Sequence, residues 1–172
     1  MRIEKKLAVY GMVLTDNPEV TKSYVTSTAD KYHVYVSGIH VHCPSQLLYE
    51  GNKIGKQLSV EWLKACARRS MLNQLSMLKR IVEDLDAVDQ IMKIVYYING
   101  IGTKEEWSEV TKETTAIVRN AFGQVGSDCE VCIIAPVPLA PGQPVQIDLL
   151  ASLPSTILPS RTRIYEGIRS GV

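Results

Sequence analysis

The chain has 172 residues, 45% hydrophobic and 22% charged, which is the balance of a folded globular protein and the size of one domain. Lysine plus arginine number 19 against 18 acidic residues, and a net charge of +1 gives no electrostatic case for nucleic acid or for an acidic membrane surface. No apolar run approaches the roughly 20 residues of a membrane helix, and no apolar stretch of signal-peptide length follows the basic start. The expected location is therefore cytoplasmic. Four cysteines are too few for a disulfide scaffold, so reduced thiols are expected.

Residues 2–12 carry Ile3, Leu7, Ala8 and Met12 at helical spacing, and Asp16-Asn17-Pro18 breaks the pattern. Residues 22–27 and 32–42 are rich in Val, Thr and Tyr around an Ala29-Asp30-Lys31 turn, which predicts a hairpin. After a polar stretch, Ser59 is placed to cap a helix, with Glu61 in its first turn. Leu63, Ala67, Met71, Leu75, Leu78 and Val82 form its apolar stripe, and it ends near Glu83-Asp84. Residues 89–98 read as a buried strand closed by Asn99-Gly100. A second long helix spans about 105–122, with Trp107, Val110, Thr114, Ile117, Val118 and Ala121 inward and Gly123 as its C-cap.

Two further strands are predicted near 130–136 and 144–151, with Pro136, Pro138 and Pro141 interrupting any ladder between them. The main domain covers 1–152, and 153–172 is a C-terminal extension. The fold class is α+β: a mixed β-sheet with two helices on one face. The strand at 89–98 is apolar on both sides, so the other sheet face must be buried elsewhere, which argues for an oligomer.

Several stretches resemble the RidA/YjgF family: Val34-Tyr-Val-Ser37-Gly38, Gly51-Asn-Lys-Ile-Gly55 with Leu58-Ser-Val-Glu61, Ala65, Ala67 and Asn73-Gln-Leu75. Asp84-Leu-Asp86 with Val88, Ala121-Phe122-Gly123 with Gly126, and Leu139 with Val145-Gln-Ile-Asp148 continue the resemblance over roughly residues 3–152. It implies a chorismate-mutase-like, barrel-like homotrimer with small-molecule sites between subunits and no cofactor. Many members hydrolyse reactive imines or enamines of amino acids; others have been reported as ribonucleases or have no known activity.

The resemblance also implies a site. Deaminating members use an arginine in the fourth strand to fork onto the substrate carboxylate. Glu130 stands at that position here and would repel the same group. Cys132 matches a family cysteine, Gln146 aligns with the glutamate that places water, and Asp148 lies one step along the same face. Lys112 aligns with an asparagine of the second helix, while Ser37 and Gly38 are kept. Glu130, Cys132 and Gln146 are the catalytic candidates, and Ser37, Gly38, Lys112 and Asp148 the substrate-binding ones.

Each candidate has a plain structural reading beside it: packing for Cys132, solvation for Lys112, an exposed strand position for Glu130 and Gln146. A Lys112–Glu130 pair across a subunit boundary is a further expectation. Cys129-Glu-Val-Cys132 has C-x-x-C spacing, but strand alternation sends its thiols to opposite faces, against a redox or zinc role. His40-Val-His42 beside Cys43 has metal-ligand spacing but no carboxylate partner fixed by sequence, and no metal is assigned. The function expected is hydrolysis, deamination or a related acid/base step on an imine, enamine or similar C–N group, in place of the standard 2-imino-acid reaction. The alternatives are a non-catalytic ligand-binding trimer and, on family association alone, a ribonuclease.

Overall fold

The structure, a computed structural model, describes residues 2–16, 27–38, 59–100, 102–124, 128–139 and 143–154. Helix α1 (Arg2–Val9) is followed by strands β1 (Ser27–Ala29) and β2 (His33–Val36), helix α2 (Val60–Val82) and a 3-10 turn at Leu85–Ala87. Strand β3 (Gln90–Ile98), helix α3 (Lys104–Phe122), β4 (Glu130–Ile134) and β5 (Val145–Ser152) complete the order. The predicted helices and the strands expected at 32–42, 89–98, 130–136 and 144–151 are present with shifted ends, whereas the strand expected at 22–27 meets β1 only at Ser27, and Ala29, expected in the turn, belongs to β1. Residues 22–26 and 39–42 of the predicted hairpin, His40, His42 and Cys43, and the extension beyond 154 lie outside the described residues.

The helix ends follow local chemistry. The Ser59 side chain accepts from Trp62 N–H and caps α2. Thr103 and Glu106 form a reciprocal capping box on α3. Gly123, at φ 66°, closes α3 by donating its N–H to the Arg119 carbonyl over 2.8 Å, in a backbone region that glycine enters without a Cβ penalty. Asp86 accepts from the backbone N–H groups of Arg2 (2.6 Å) and Ile3 (2.8 Å), so the start of α1 is tied to the turn after α2.

The five strands run in the order β1-β2-β5-β3-β4. All neighbours are antiparallel except β3 and β4, which are parallel and joined through α3. One face is the core. Val34, Val36, Ile94, Tyr96, Ile98, Ile147 and Leu149 are all fully buried there beneath α2 and α3. The α2 stripe from Leu63 to Val82 and the α3 positions Val110, Ile117, Val118 and Ala121 close over them. Truncating one such side chain, as in Leu75→Ala, costs about 2–5 kcal/mol.

A register shift between Ile91 and Lys93 explains how Ile91 and Ile94, three positions apart, both reach this core. The sheet is covered on this side by two helices as predicted, and α1 adds a third that packs against α3. The opposite face has no helix over it among the described residues. Tyr35, Lys93, Val95, Tyr97, Glu130, Cys132, Gln146, Asp148 and Leu150 project there, as the pairing register requires. No described helix is long and apolar enough to cross a membrane.

Candidate functional site

Three strands and the end of a fourth meet around one carboxylate on the open face. Asp148 lies on β5 with Val95 of β3 directly opposite, and Val95 in turn pairs with Cys132 of β4. Asp148 is 7% exposed. Its Oδ2 accepts from the Tyr35 hydroxyl (2.8 Å) and the Tyr97 hydroxyl (3.2 Å), one from either flank. Its Oδ1 accepts from the Gly38 backbone N–H at 2.5 Å.

These contacts fix the state of the phenols. Burial first, then the hydrogen bond and charge of Asp148, push the Tyr35 hydroxyl up to about 12, with a Ser37 side-chain hydrogen bond acting the other way. Tyr97 is raised by burial and by the Asp148 charge. Both are therefore neutral donors at ordinary pH.

Gly38 sits beneath Gln146. A Cβ on Gly38 would fall 2.0 Å from the Gln146 Cγ, so only glycine admits that side chain at this point. Gln146 Oε1 accepts from Gln143 Nε2 at 3.3 Å. From the core side, Gln74 donates its Nε2 to the Ser37 carbonyl at 3.3 Å; the Gln74 side chain is fully buried and its Oε1 has no partner.

Ser37, Gly38, Gln146 and Asp148 are thus brought together, and Cys132 stands two strands from Asp148 on the same face. Glu130 shares the face but at the sheet edge, where its Oε1 lies 3.3 Å from Lys93 Nζ and the pair is largely exposed. Within one chain Glu130 is not enclosed. Lys112 is exposed on α3, which packs on the other side of the sheet through Tyr96 and Thr115, so one chain does not bring Lys112 to the others.

Cys129 is buried on the core side, and burial raises its thiol. The alternation that separates it from Cys132 is as the sequence predicts. Elsewhere, the carboxylates of Glu4, Asp84 and Asp86 lie within 4.8 Å of one another. Both Asp86 oxygens there are engaged by the start of α1.

Tyr35, Tyr97 and Lys93 were not among the sequence candidates. The available signal was their alternation: Tyr35 shares a face with Ser37, and Lys93 shares one with Val95 and Tyr97. Only the cross-strand register joins residues 35, 97 and 148.

No family model matches the chain. The Trypanosoma cruzi protein named Protein TCP17 is 26% identical over 132 residues, which span 73% of this chain and 82% of that protein. Among solved structures, a protein of unknown function from Agrobacterium tumefaciens is similar with a TM-score of 0.70 and 20% identity, covering 88% of this chain and 92% of its own. A candidate endoribonuclease from Shewanella oneidensis has a TM-score of 0.68 and 22% identity, with 89% and 100% covered. A protein of the conserved Rid family from Yersinia pestis has a TM-score of 0.45 and 16% identity, with 81% and 95% covered. At these identities the likeness to the Agrobacterium and Shewanella structures is likeness of fold alone.

Proposed function

We propose, from the premise that this chain has the fold of the RidA/YjgF family, that it is a small-molecule enzyme acting on an imine, enamine or related C–N group, and that it is not the standard 2-imino-acid deaminase. The observation that carries the reading is Asp148, a buried carboxylate held by two phenols and a backbone N–H on a sheet face with no helix over it among the described residues; the resemblance to the family places Glu130 where deaminating members have their arginine.

Hydrolysis of a C=N group needs water at the carbon, a group to take its proton and a proton for the departing nitrogen. The products are a carbonyl compound and ammonia or an amine. Asp148 is pre-positioned to hold or deprotonate that water, because its three donors fix its orientation. Gln146 offers an amide to the same water, Cys132 lines the wall, and Ser37 and Gly38 form the rim. Glu130 supplies a second acid/base group once a neighbouring copy covers it.

That neighbour is part of the proposal. Tyr35 and Ile134 are each about 40% exposed on the open face, and a homotrimer closing on this face would enclose a cup between subunits. Lys112 would reach the cup only from such a neighbour.

The test is ammonia release from freshly generated 2-iminopropionate, beside a family member that keeps the arginine, followed by imines without an α-carboxylate. Weak release from 2-iminopropionate with turnover of the second group, abolished by Asp148→Asn, is the expected result. Robust release from 2-iminopropionate overturns the substrate assignment.

A binding-only trimer is the second reading. In its favour, the Gly38 N–H and the Gln146 Oε1 are already engaged inside the chain. A Glu130→Ala protein that keeps ligand affinity but loses turnover eliminates it. Ribonuclease activity has against it a net charge of +1, and RNA left intact by the purified protein disposes of it.

A further inference from the structure

Charge on the open face is unevenly compensated. Glu130 has Lys93 beside it. Asp148 has three partners, and all are neutral: two phenols and one amide N–H. No cation contacts it among the described residues. Hydrogen bonds satisfy its lone pairs, but they leave its net charge in place, and a buried charge without a counter-ion is a strong attractor for one.

The flanking groups suit a small organic cation. Tyr35 and Tyr97 reach the same oxygen from opposite sides, so their rings border the approach to Asp148. Aromatic faces attract ammonium and guanidinium groups that a neighbouring carboxylate draws in. Oδ1 has one donor within hydrogen-bond distance, whereas Oδ2 has two, so Oδ1 retains acceptor capacity for an incoming N–H. The uncompensated Asp148 carboxylate itself disfavours a ligand whose reactive carbon also bears a carboxylate.

We infer that the Tyr35–Asp148–Tyr97 cluster is a recognition site for a protonated nitrogen, so that the substrate class is an iminium, ammonium or amidinium compound without an adjacent carboxylate. This rests on the reading of the open face as a small-molecule site.

The experiment is calorimetric titration of the full chain with benzylammonium, with benzyl alcohol as its neutral counterpart and with benzoate as the anion, at low and high salt. Benzylammonium should bind at least about tenfold more tightly than benzyl alcohol, and benzoate should not bind. Asp148→Asn, which keeps shape and removes charge, should abolish that preference, so that benzylammonium binds no more tightly than benzyl alcohol.

If Asp148→Asn does not fold, Tyr97→Phe serves beside the natural chain. It loses one hydroxyl, keeps the charge, and should keep the preference. Equal binding of benzylammonium and benzyl alcohol by the natural protein overturns the inference, since a cation from a neighbouring copy would then already neutralise Asp148. Turnover of a neutral imine with no cation preference also overturns it and leaves the enzyme reading standing. Cation preference without turnover of any C–N compound supports it and removes the enzyme reading.

Discussion

Gln146 lies across Gly38 at a separation that admits no side chain: a Cβ added at residue 38 would meet the Gln146 Cγ, Cδ and Nε2 at 2.0 to 2.2 Å. The contact joins the end of β2 to β5 beside the Asp148 oxygen that the Gly38 N–H occupies. Residues 38 and 146 are therefore one structural unit, although the sequence separates them widely.

Gly38→Ala follows from that contact. The substitution must displace Gln146 or the β2 end, and overpacking of this kind costs about 1–3 kcal/mol. A thermal melt should show a drop of several degrees. An unchanged melting temperature would mean that Gln146 swings away freely and does not order the site.

Alkaline titration tests the phenol cluster. Tyr35 is raised to about 12 in the folded chain, from the ordinary phenol value of 10.0. A raised pKa favours the protonated native form, so its contribution to stability is complete below pH 10 and is lost as pH rises through about 12. Absorbance of tyrosinate should therefore show late titration of Tyr35, accompanied by unfolding. Tyr35→Phe should remove part of the late signal and flatten the stability slope between pH 10 and 12.

Asp86 predicts the opposite pH sense. The backbone N–H of Arg2 is the largest influence holding its carboxyl well below the ordinary carboxylate range, and that of Ile3 acts in the same direction. Its stabilising effect is present above the unfolded value near 3.8 and is lost as pH falls below it toward the depressed folded value. Asp86→Ala should cost about 0.5–2 kcal/mol, as loss of a helix cap does. Hydrogen exchange should locate the loosening in α1.

Glu130 should behave as a functional position and not a structural one. It is exposed and its pairing with Lys93 is a surface contact, so Glu130→Ala should change stability by less than about 0.5 kcal/mol. Glu130→Arg should raise ammonia release from 2-iminopropionate, because a guanidinium would fork onto the carboxylate. If the steady-state assay shows no gain, the arginine function is not carried at this position.

Thiol labelling separates the cysteines. Cys66 and Cys129 are buried, whereas Cys132 is half-buried on the open face. Mapped alkylation should modify Cys132 ahead of the other two in dilute protein. Protection of Cys132 at high concentration would report closure of a second copy over this face.

The sequence by itself determined the elements. The six-residue stripe of α2, the Ser59 and Gly123 caps and the alternation of β4 that parts Cys129 from Cys132 are local properties, set by helical or strand periodicity and by groups within four residues of one another. It also placed Gln146 and Asp148 on one strand face, since they are two apart.

Only the tertiary structure decided the centre of the candidate site. That Tyr35, Tyr97 and Gly38 all donate to Asp148 depends on β5 lying between β2 and β3, and on the register that sets Val95 against Asp148. Shifting either pairing by one residue would send these side chains to the other face. Register is settled by the whole buried face of the sheet against α2 and α3, a sum of many contacts that no short stretch of sequence contains.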